Sequence, residues 1–547
     1  MKKTLALLLA LVMSVGALTA CSGSSGSAGK QDGAATDGSG ETAAKTIVIG
    51  GQSDLVTLDP GHMYEPYANM FCYAAYDFLY RVETGTMGTP VPSVATGYTV
   101  DETGTVYTFT LRDDVTFASG NKLTAKDVAW SVTRVMNMKE SNAYSLVKDV
   151  VSVEAPDDTT AVFTLTIPDA SFLVKLTSNA YAILDSEVVK EHGGSDSGND
   201  TAKEWLDSNS AGSGPFVFES WTPKEQIVLK KNANYWNTES KNNVDTVIFK
   251  EMTSVDAQIT ALKNGEIDIA LGLNSETAKQ LEGAENVAIT TGDTALMTFL
   301  VMSRDESLSP EMANPKVQEA VRLALDYEGI LALGGAGCTI PENIVQKGFV
   351  GALTRDAATA RDVEKAKALL AEAGYPDGFT VTLTCANNNS EGLDWTLIAQ
   401  KVQQDLAEVG ITVNIETLEA TLVYEKMREG TMPFYVMFWS PDYYDINNQF
   451  AFLPGTGEDG TAYGNRTQWE RTADNEVLWE LADQIKVETD TTKRAVLSEE
   501  LQTQFDKDNP FAFLLQHPKT FAYRTDTLEF VSYSDLCKIE LCDLIAK

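Results

Sequence analysis

Three histidines, His62, His192 and His517, are the whole imidazole complement of this 547-residue chain. None has the neighbours of a zinc protease, which needs two rings one helical turn apart with a glutamate between them. No serine sits in a nucleophile-elbow pattern, and no glycine-rich run ends as a phosphate-binding loop does. Gly455, Gly457 and Gly460 fit Gly-x-Gly-x-x-Gly, but Pro454 precedes them and Thr-Ala-Tyr-Gly follows. A dinucleotide site needs a strand leading in and a helix leading out, so this stretch reads as a loop. Asp196 to Asp200 is rich in oxygen yet misses the spacing of a calcium loop, and reads as a solvated surface loop. These residues form no catalytic constellation. The expectation is a protein that is not an enzyme and uses no cofactor and no metal.

Cys21 is the residue whose surroundings specify a covalent fate. Lys2 and Lys3 precede an apolar run from Leu5 to Leu18, and Leu18-Thr19-Ala20 leads directly into Cys21. A charged start, a short apolar stretch and small residues before a cut site describe a secretory signal over 1–20. A cysteine at the cut resembles the bacterial lipobox, in which the thiol is lipid-modified and becomes the mature N-terminus. The other readings are a plain signal with an incidental cysteine, or a membrane span, which needs roughly 18 or more apolar residues. Residues 21–45 are dominated by Ser, Gly, Ala and Thr and read as a lipid-anchored disordered linker. Such a chain spans on the order of 27 Å.

The formal charge is −36, and loss of Lys2 and Lys3 with the signal makes the mature chain two units more acidic. That argues against nucleic acid or anionic lipid as a partner. Beyond Cys21, the cysteines are Cys72, Cys338, Cys385, Cys537 and Cys542, an odd and scattered set unlike a disulfide framework. Cys537 and Cys542 pair only if the chain turns between them; otherwise they are separate thiols.

Several segments declare their secondary structure. Tyr107-Thr-Phe-Thr-Leu111 alternates as a strand does. A helix follows from Thr124, with Asp127 completing a capping box and Val128, Val132, Val135 and Met136 as its apolar stripe. Asn314-Pro315 starts another helix. Phe379 to Cys385 alternates, Ile398, Val402, Leu406 and Val409 recur at helical spacing, Gly410 stops the helix, and Ile411, Val413 and Ile415 alternate again. This is a βαβ unit with a right-handed crossover, and it implies mixed α/β domains.

The motifs also have an order. Thr57-Leu-Asp-Pro60, Leu123-Thr-Ala-Lys-Asp-Val128, Gly212-Ser-Gly-Pro-Phe216, Tyr235-Trp236, Asn264-Gly-Glu-Ile-Asp268, Asn314-Pro-Lys-Val317, Gly374-Tyr-Pro376 and Trp439-Ser-Pro-Asp442 follow one another along the chain. The series resembles the extracellular solute-binding proteins of ABC importers, in the oligopeptide- and dipeptide-binding family 5. Ser119, Tyr327, Ser213 and Phe216 depart from the family's commoner residues. The resemblance implies a two-lobed periplasmic-binding-protein type II fold, α/β with mixed sheets, an extra domain and a cleft that closes by a hinge. It implies lobe I from 46–82, 209–298 and 508–547, an extra smaller domain at 83–208, and lobe II at 299–507. It further implies a monomer, held at the cell membrane by its lipid and facing the extracellular side or periplasm, that captures a peptide or other small solute and delivers it to ABC permease subunits.

The resemblance also nominates ligand-binding residues. Asp442 stands where peptide-binding relatives carry the carboxylate that pairs with the peptide's α-ammonium; the alternative is a cap on the turn before Asp445. The backbone at Trp439 and Ser440 is placed to pair with an extended peptide. Arg428 resembles an arginine that some relatives use for peptide carboxylates, while Val436 occupies a position where others have a second arginine. Tyr443, like Trp439 and Tyr444, lines the cleft or belongs to the core. A non-peptide solute (nickel chelate, oligosaccharide, opine-like compound), a surface peptide sensor and a peptide hydrolase remain the rival readings.

Overall fold

The computed structural model describes residues 44–547, apart from 54, 64, 66, 140, 142, 357–359, 388, 391–392 and 456–462. The signal, Cys21, the linker through residue 43, Gly457 and Gly460 lie outside the described residues. Lys45, expected at the end of the linker, is already part of the body. Its backbone N–H donates to Asp245 Oδ2 at 2.7 Å and its ammonium to the Ala546 carbonyl at 2.9 Å.

Strand β1 (Thr46–Gly51) and helix α1 (Ala68–Ala75) open the body. The chain then builds a small antiparallel sheet from β2 (Ala95–Val100), β3 (Val106–Leu111), β4 (Val150–Glu154) and β5 (Thr160–Leu165), in the order β2-β3-β5-β4. Helix α2 (Ala125–Asn137) belongs to the same domain. Strands β6 (Phe216–Thr222), β7 (Gln226–Lys231), β8 (Thr246–Glu251), β9 (Ile269–Leu273) and β10 (Val287–Gly292) return to the sheet of β1. The chain next crosses into β11 (Met297–Met302), followed by helices α3 (Pro315–Ala324) and α4 (Val363–Glu372). Then come β12 (Thr380–Ala386), α5 (Trp395–Ala407), β13 (Thr412–Leu418), α6 (Ala420–Glu429) and β14 (Phe434–Trp439). Helices α7 (Glu476–Val487) and α8 (Thr491–Phe505) lead to β15 (Phe511–Gln516), and the chain crosses back into β16 (Lys519–Arg524). The first large sheet has the order β10-β16-β9-β1-β8-β7-β6 and the second β13-β12-β14-β11-β15. Each of the three sheets has its own buried core.

Local signals explain the elements. On β3, Tyr107, Phe109 and Leu111 point inward and the residues between them do not. Thr124 and Asp127 close the capping box of α2, the Thr124 N–H donating to Asp127 Oδ2 at 2.9 Å. Strands β12 and β13 run parallel from Thr380↔Thr412 to Ala386↔Leu418 with α5 between them, the expected βαβ unit. The turns that lead into its two strands touch: a β-carbon on Gly378 (φ +75) would lie 1.9 Å from the Gly410 carbonyl oxygen. Only glycine fits so close an approach of backbone to backbone.

One expected boundary moves. β15 was placed with lobe I by the division at 508, but it pairs with β11 in the second sheet, Val301↔Phe511 through Met297↔Gln516. Its rings pack there, Phe511 and Phe513 lying 6.1 and 5.9 Å from Phe299. The chain therefore crosses back at 517–518. β11 likewise begins at Met297, two residues before the expected start of lobe II.

The recurring motifs turn out to be joints between segments distant in sequence. Arg134, 1% exposed, donates to both oxygens of Asp59 at 2.9 and 2.7 Å and to both of Asp200 at 2.9 and 2.7 Å. Asp59 of the Thr-Leu-Asp-Pro motif is thereby clamped to α2. Asp200, expected in a solvated loop, is the third member of this ion cluster, a correction that follows from an arginine 66 residues away. Ser213 and Trp236 converge on buried Asp77 at 2.9 and 2.8 Å. A β-carbon on Gly212 would sit 2.0 Å from the Ala75 carbonyl, so the Gly-Ser-Gly-Pro motif packs its backbone on the end of α1. Among the described residues, Cys537 and Cys542 are separate thiols, and no helix is long and apolar enough to cross a membrane.

Candidate functional site

Strands β1, β8 and β9 are parallel, with carboxyl ends at Gly51, Glu251 and Leu273. Strands β12, β13 and β14 are also parallel and end at Ala386, Leu418 and Trp439. Open α/β sheets bind ligands in the crevice outside such ends. Both edges meet the two crossing segments. In the first sheet Leu273 pairs with Thr520 and Gly292 with Lys519, and in the second Trp439 and Gln516 both pair with Met297. The crossings are bonded side by side: Thr294 Oγ1 donates to the His517 carbonyl at 2.6 Å, the His517 N–H to the Leu296 carbonyl at 3.0 Å, and Gln516 Nε2 to the Thr294 carbonyl at 2.6 Å. A pair of crossing segments between two sheets is where hinge closure concentrates its backbone change.

The segment that leaves β14 carries most of the expected site. Trp439 is half-buried, its ring edge-on to Phe452 at 5.2 Å. Ser440 and Asp442 are half-buried, and the Asp442 N–H donates to Asn448 Oδ1 at 2.7 Å. Asp445 caps the helical turn Ile446–Phe452 that follows, its Oδ1 accepting the Asn447 N–H at 2.9 Å. Asp445 is itself held by both Nη atoms of Arg494 on α8, at 2.6 and 2.5 Å.

Tyr443, named among the ligand contacts, is instead in the core of the small-sheet domain. It is 8% exposed and groups with Phe109, Phe172 and Tyr181, with the Lys175 ammonium 5.2 Å from its ring centre. Tyr444 is buried in the core of the first sheet, its ring stacked on Phe349 at 6.2 Å and 3°. Burial pushes both phenols well above their ordinary range.

Arg428 is not brought to this segment. It is exposed on the last turn of α6, at the amino end of β14, where it lines a surface groove of about 1030 Å³ with Asn465, Arg466 and Trp469. Trp439 is at the other end of a six-residue strand, roughly 17 Å away by strand rise. Val436 is buried within β14.

Asp535 has no counterpart in the sequence reading. It is buried, accepts the Ala295 N–H at 2.7 Å from the crossing segment, and hydrogen-bonds with the Tyr444 hydroxyl. Burial raises its carboxyl above the usual carboxylate range, with Lys538 the main opposing influence. Nothing local to residues 530–540 announces this role, because both partners lie far away in the chain.

Two mixed open sheets joined by paired crossings, with an added small-sheet domain, define a two-lobed periplasmic-binding-protein type II fold. The chain belongs to the bacterial extracellular solute-binding proteins, family 5, whose model matches residues 89–461. It is 27% identical over 379 residues to the glutathione-binding protein GsiB of Salmonella typhi, covering 69% of this chain and 70% of that one. It is 27% identical over 490 residues to the probable D,D-dipeptide-binding periplasmic protein DdpA of Escherichia coli K12, covering 89% and 91%. The structure of DppA from Helicobacter pylori, solved with the peptide STSA, has the same fold, with a TM-score of 0.74 at 24% identity over 91% of this chain and 97% of that one.

Proposed function

We propose that the protein is the lipid-anchored capture subunit of an ABC importer, binding a peptide outside the cell and handing it to a membrane permease. The observation that carries the peptide reading is Asp442, a carboxylate on the segment leaving the carboxyl end of β14 beside the crossings. An ammonium withdrawn from water needs a charged, hydrogen-bonding partner, and a peptide supplies that group at its N-terminus. The backbone at Trp439 and Ser440 adds an edge for an extended chain, interrupted at Pro441, which has no N–H. The names of GsiB and DdpA, a glutathione binder and a probable dipeptide binder, support the same class of ligand. Lobe I then comprises the first large sheet, the extra domain the small sheet, and lobe II everything between the crossings at 293–296 and 517–518. The protein acts as a monomer and by binding alone, without catalysis.

Thermal-shift measurement with di- to pentapeptides tests the ligand. A hundredfold excess over the dissociation constant stabilises by about 2.7 kcal/mol. A shift with a nickel chelate, an oligosaccharide or an opine, and none with any peptide, would replace the peptide reading. The anchor has its own test. Cys21→Ser is expected to abolish incorporation of a labelled fatty acid and to release the protein from the membrane fraction; labelling that persists in the variant would locate the lipid elsewhere.

A further inference from the structure

The stretch from Ser440 to Asn447 touches all three domains within eight residues. Asp445 pins it to its own lobe through Arg494. Tyr443 enters the small-sheet domain, and its hydroxyl hydrogen-bonds with Ser171. Asn447 Nδ2 reaches the same place, 3.3 Å from both Asp169 Oδ1 and Ser171 Oγ. Tyr444 enters the first lobe. Its β-carbon lies against Gly88, where an added β-carbon would come within 2.3 Å, and its hydroxyl hydrogen-bonds with Ser440 and Asp535. Asp535 in turn accepts the Ala295 N–H of the crossing segment. A shorter seam joins the same two domains: the Ala170 N–H donates to the Lys486 carbonyl at 2.8 Å, and the Lys486 ammonium is 3.6 Å from Asp149.

We propose that Tyr443, Tyr444 and Asn447 form a latch that holds the lobes closed before any ligand arrives. A strap fixed to one lobe cannot follow an opening motion without withdrawing both tyrosines and breaking the Asn447 bonds. These three are positioning residues, and they influence a ligand only by setting the population of the closed state. Ligand affinity scales with the fraction of protein that is binding-competent, so a weakened latch lowers affinity for every ligand alike. Asp442 adjoins the latch in sequence, which places the proposed contact with ligand charge one peptide bond from the closure contacts.

The latch rests on interdomain contacts and not on ligand identity, so it is tested in the ligand-free, full-length protein by small-angle X-ray scattering. The wild type is expected to have a radius of gyration matching the closed form. Tyr443→Ala and Asn447→Asp are expected to give a larger one, with the closed fraction falling about tenfold. Asn447→Asp keeps the oxygen that accepts from Arg494 and sets a carboxylate beside Asp169, so it removes the interdomain bonds at little cost to the lobe's own packing. Tyr444→Phe keeps the ring against Phe349 and deletes only the bonds to Ser440 and Asp535, and is expected to give an intermediate value. Folded variants with the wild-type radius would overturn the latch, as would a wild type already as expanded as the variants. If Tyr443→Ala fails to fold, Asn447→Asp decides. A failure of the peptide reading leaves these measurements untouched, because no peptide is added.

Discussion

Asp442→Ala is expected to weaken binding of a free-amine tripeptide by about a hundredfold, ~3 kcal/mol, while binding of its N-acetylated form changes little. Truncating one partner of a desolvated, hydrogen-bonded charge pair costs about 2–5 kcal/mol, much of it from the charge left behind. The acetylated peptide has no such charge, so removing the carboxylate leaves nothing stranded. Asp442→Asn is the companion variant: it keeps the shape and the bond from its own N–H to Asn448, yet loses the charge. Isothermal titration of both peptides against both variants reads the difference directly. Equal losses for the free and acetylated peptides would make Asp442 a structural residue of the strap. The latch variants should behave differently, since they weaken both peptides together.

The largest effect on stability is expected from Arg134→Met. The substitution keeps an apolar stem on α2 and removes the guanidinium that both Asp59 and Asp200 share. Breaking a buried ion pair from one side typically costs about 3–5 kcal/mol, and here two carboxylates lose their partner. Chemical denaturation at neutral pH should show that loss. The pH dependence has a definite sign. Burial by itself raises the Asp200 carboxyl, but the bonds and charge of Arg134 outweigh it and hold the group below the usual carboxylate range. Its contribution is therefore present above the unfolded-state value of about 3.9 and fades as pH falls through the folded-state value. In the variant the abandoned Asp200 carboxylate is relieved by protonation at acid pH. The gap between wild type and variant should narrow below about pH 4. A gap under about 1 kcal/mol at neutral pH would show that the cluster adds little to stability.

Arg134 also marks the limit of sequence reasoning. It lies in the last turn of a helix whose start, cap and apolar stripe were all legible, because a helix encodes its own face within about four residues. That Asp59 and Asp200 would close on it was not legible, since neither is near it in sequence. The same contrast runs through the candidate site. The Trp-x-x-Asp motif was visible, and the structure placed it at the end of a buried strand. Which of Tyr443 and Tyr444 would meet ligand was left open, because an aromatic next to an aspartate has the same pattern whether it faces water or a core. Both enter cores, and they enter two different ones. Arg428 shows a related limit: 14 residues from Asp442 in sequence, it is at the far end of a strand from it in space, which separation along the chain does not reveal.

By itself the sequence determined the elements, their caps and breaks, the mixed α/β class and the family. These rest on residue spacing within a turn or a strand, and on motif order along one chain. Only the tertiary structure decided that β15 joins the second sheet, that the chain crosses back at 517–518, and that Asp535 from the C-terminal segment meets Tyr444 and the crossing. The physical reason is common to all three. A buried strand such as Phe511-Ala-Phe-Leu-Leu515 is apolar on both faces, so its pattern states that it is covered and leaves its neighbours unspecified. Partners in a core, an ion cluster or a hinge are selected by packing between segments hundreds of residues apart, and periodicity along the chain carries no record of that choice.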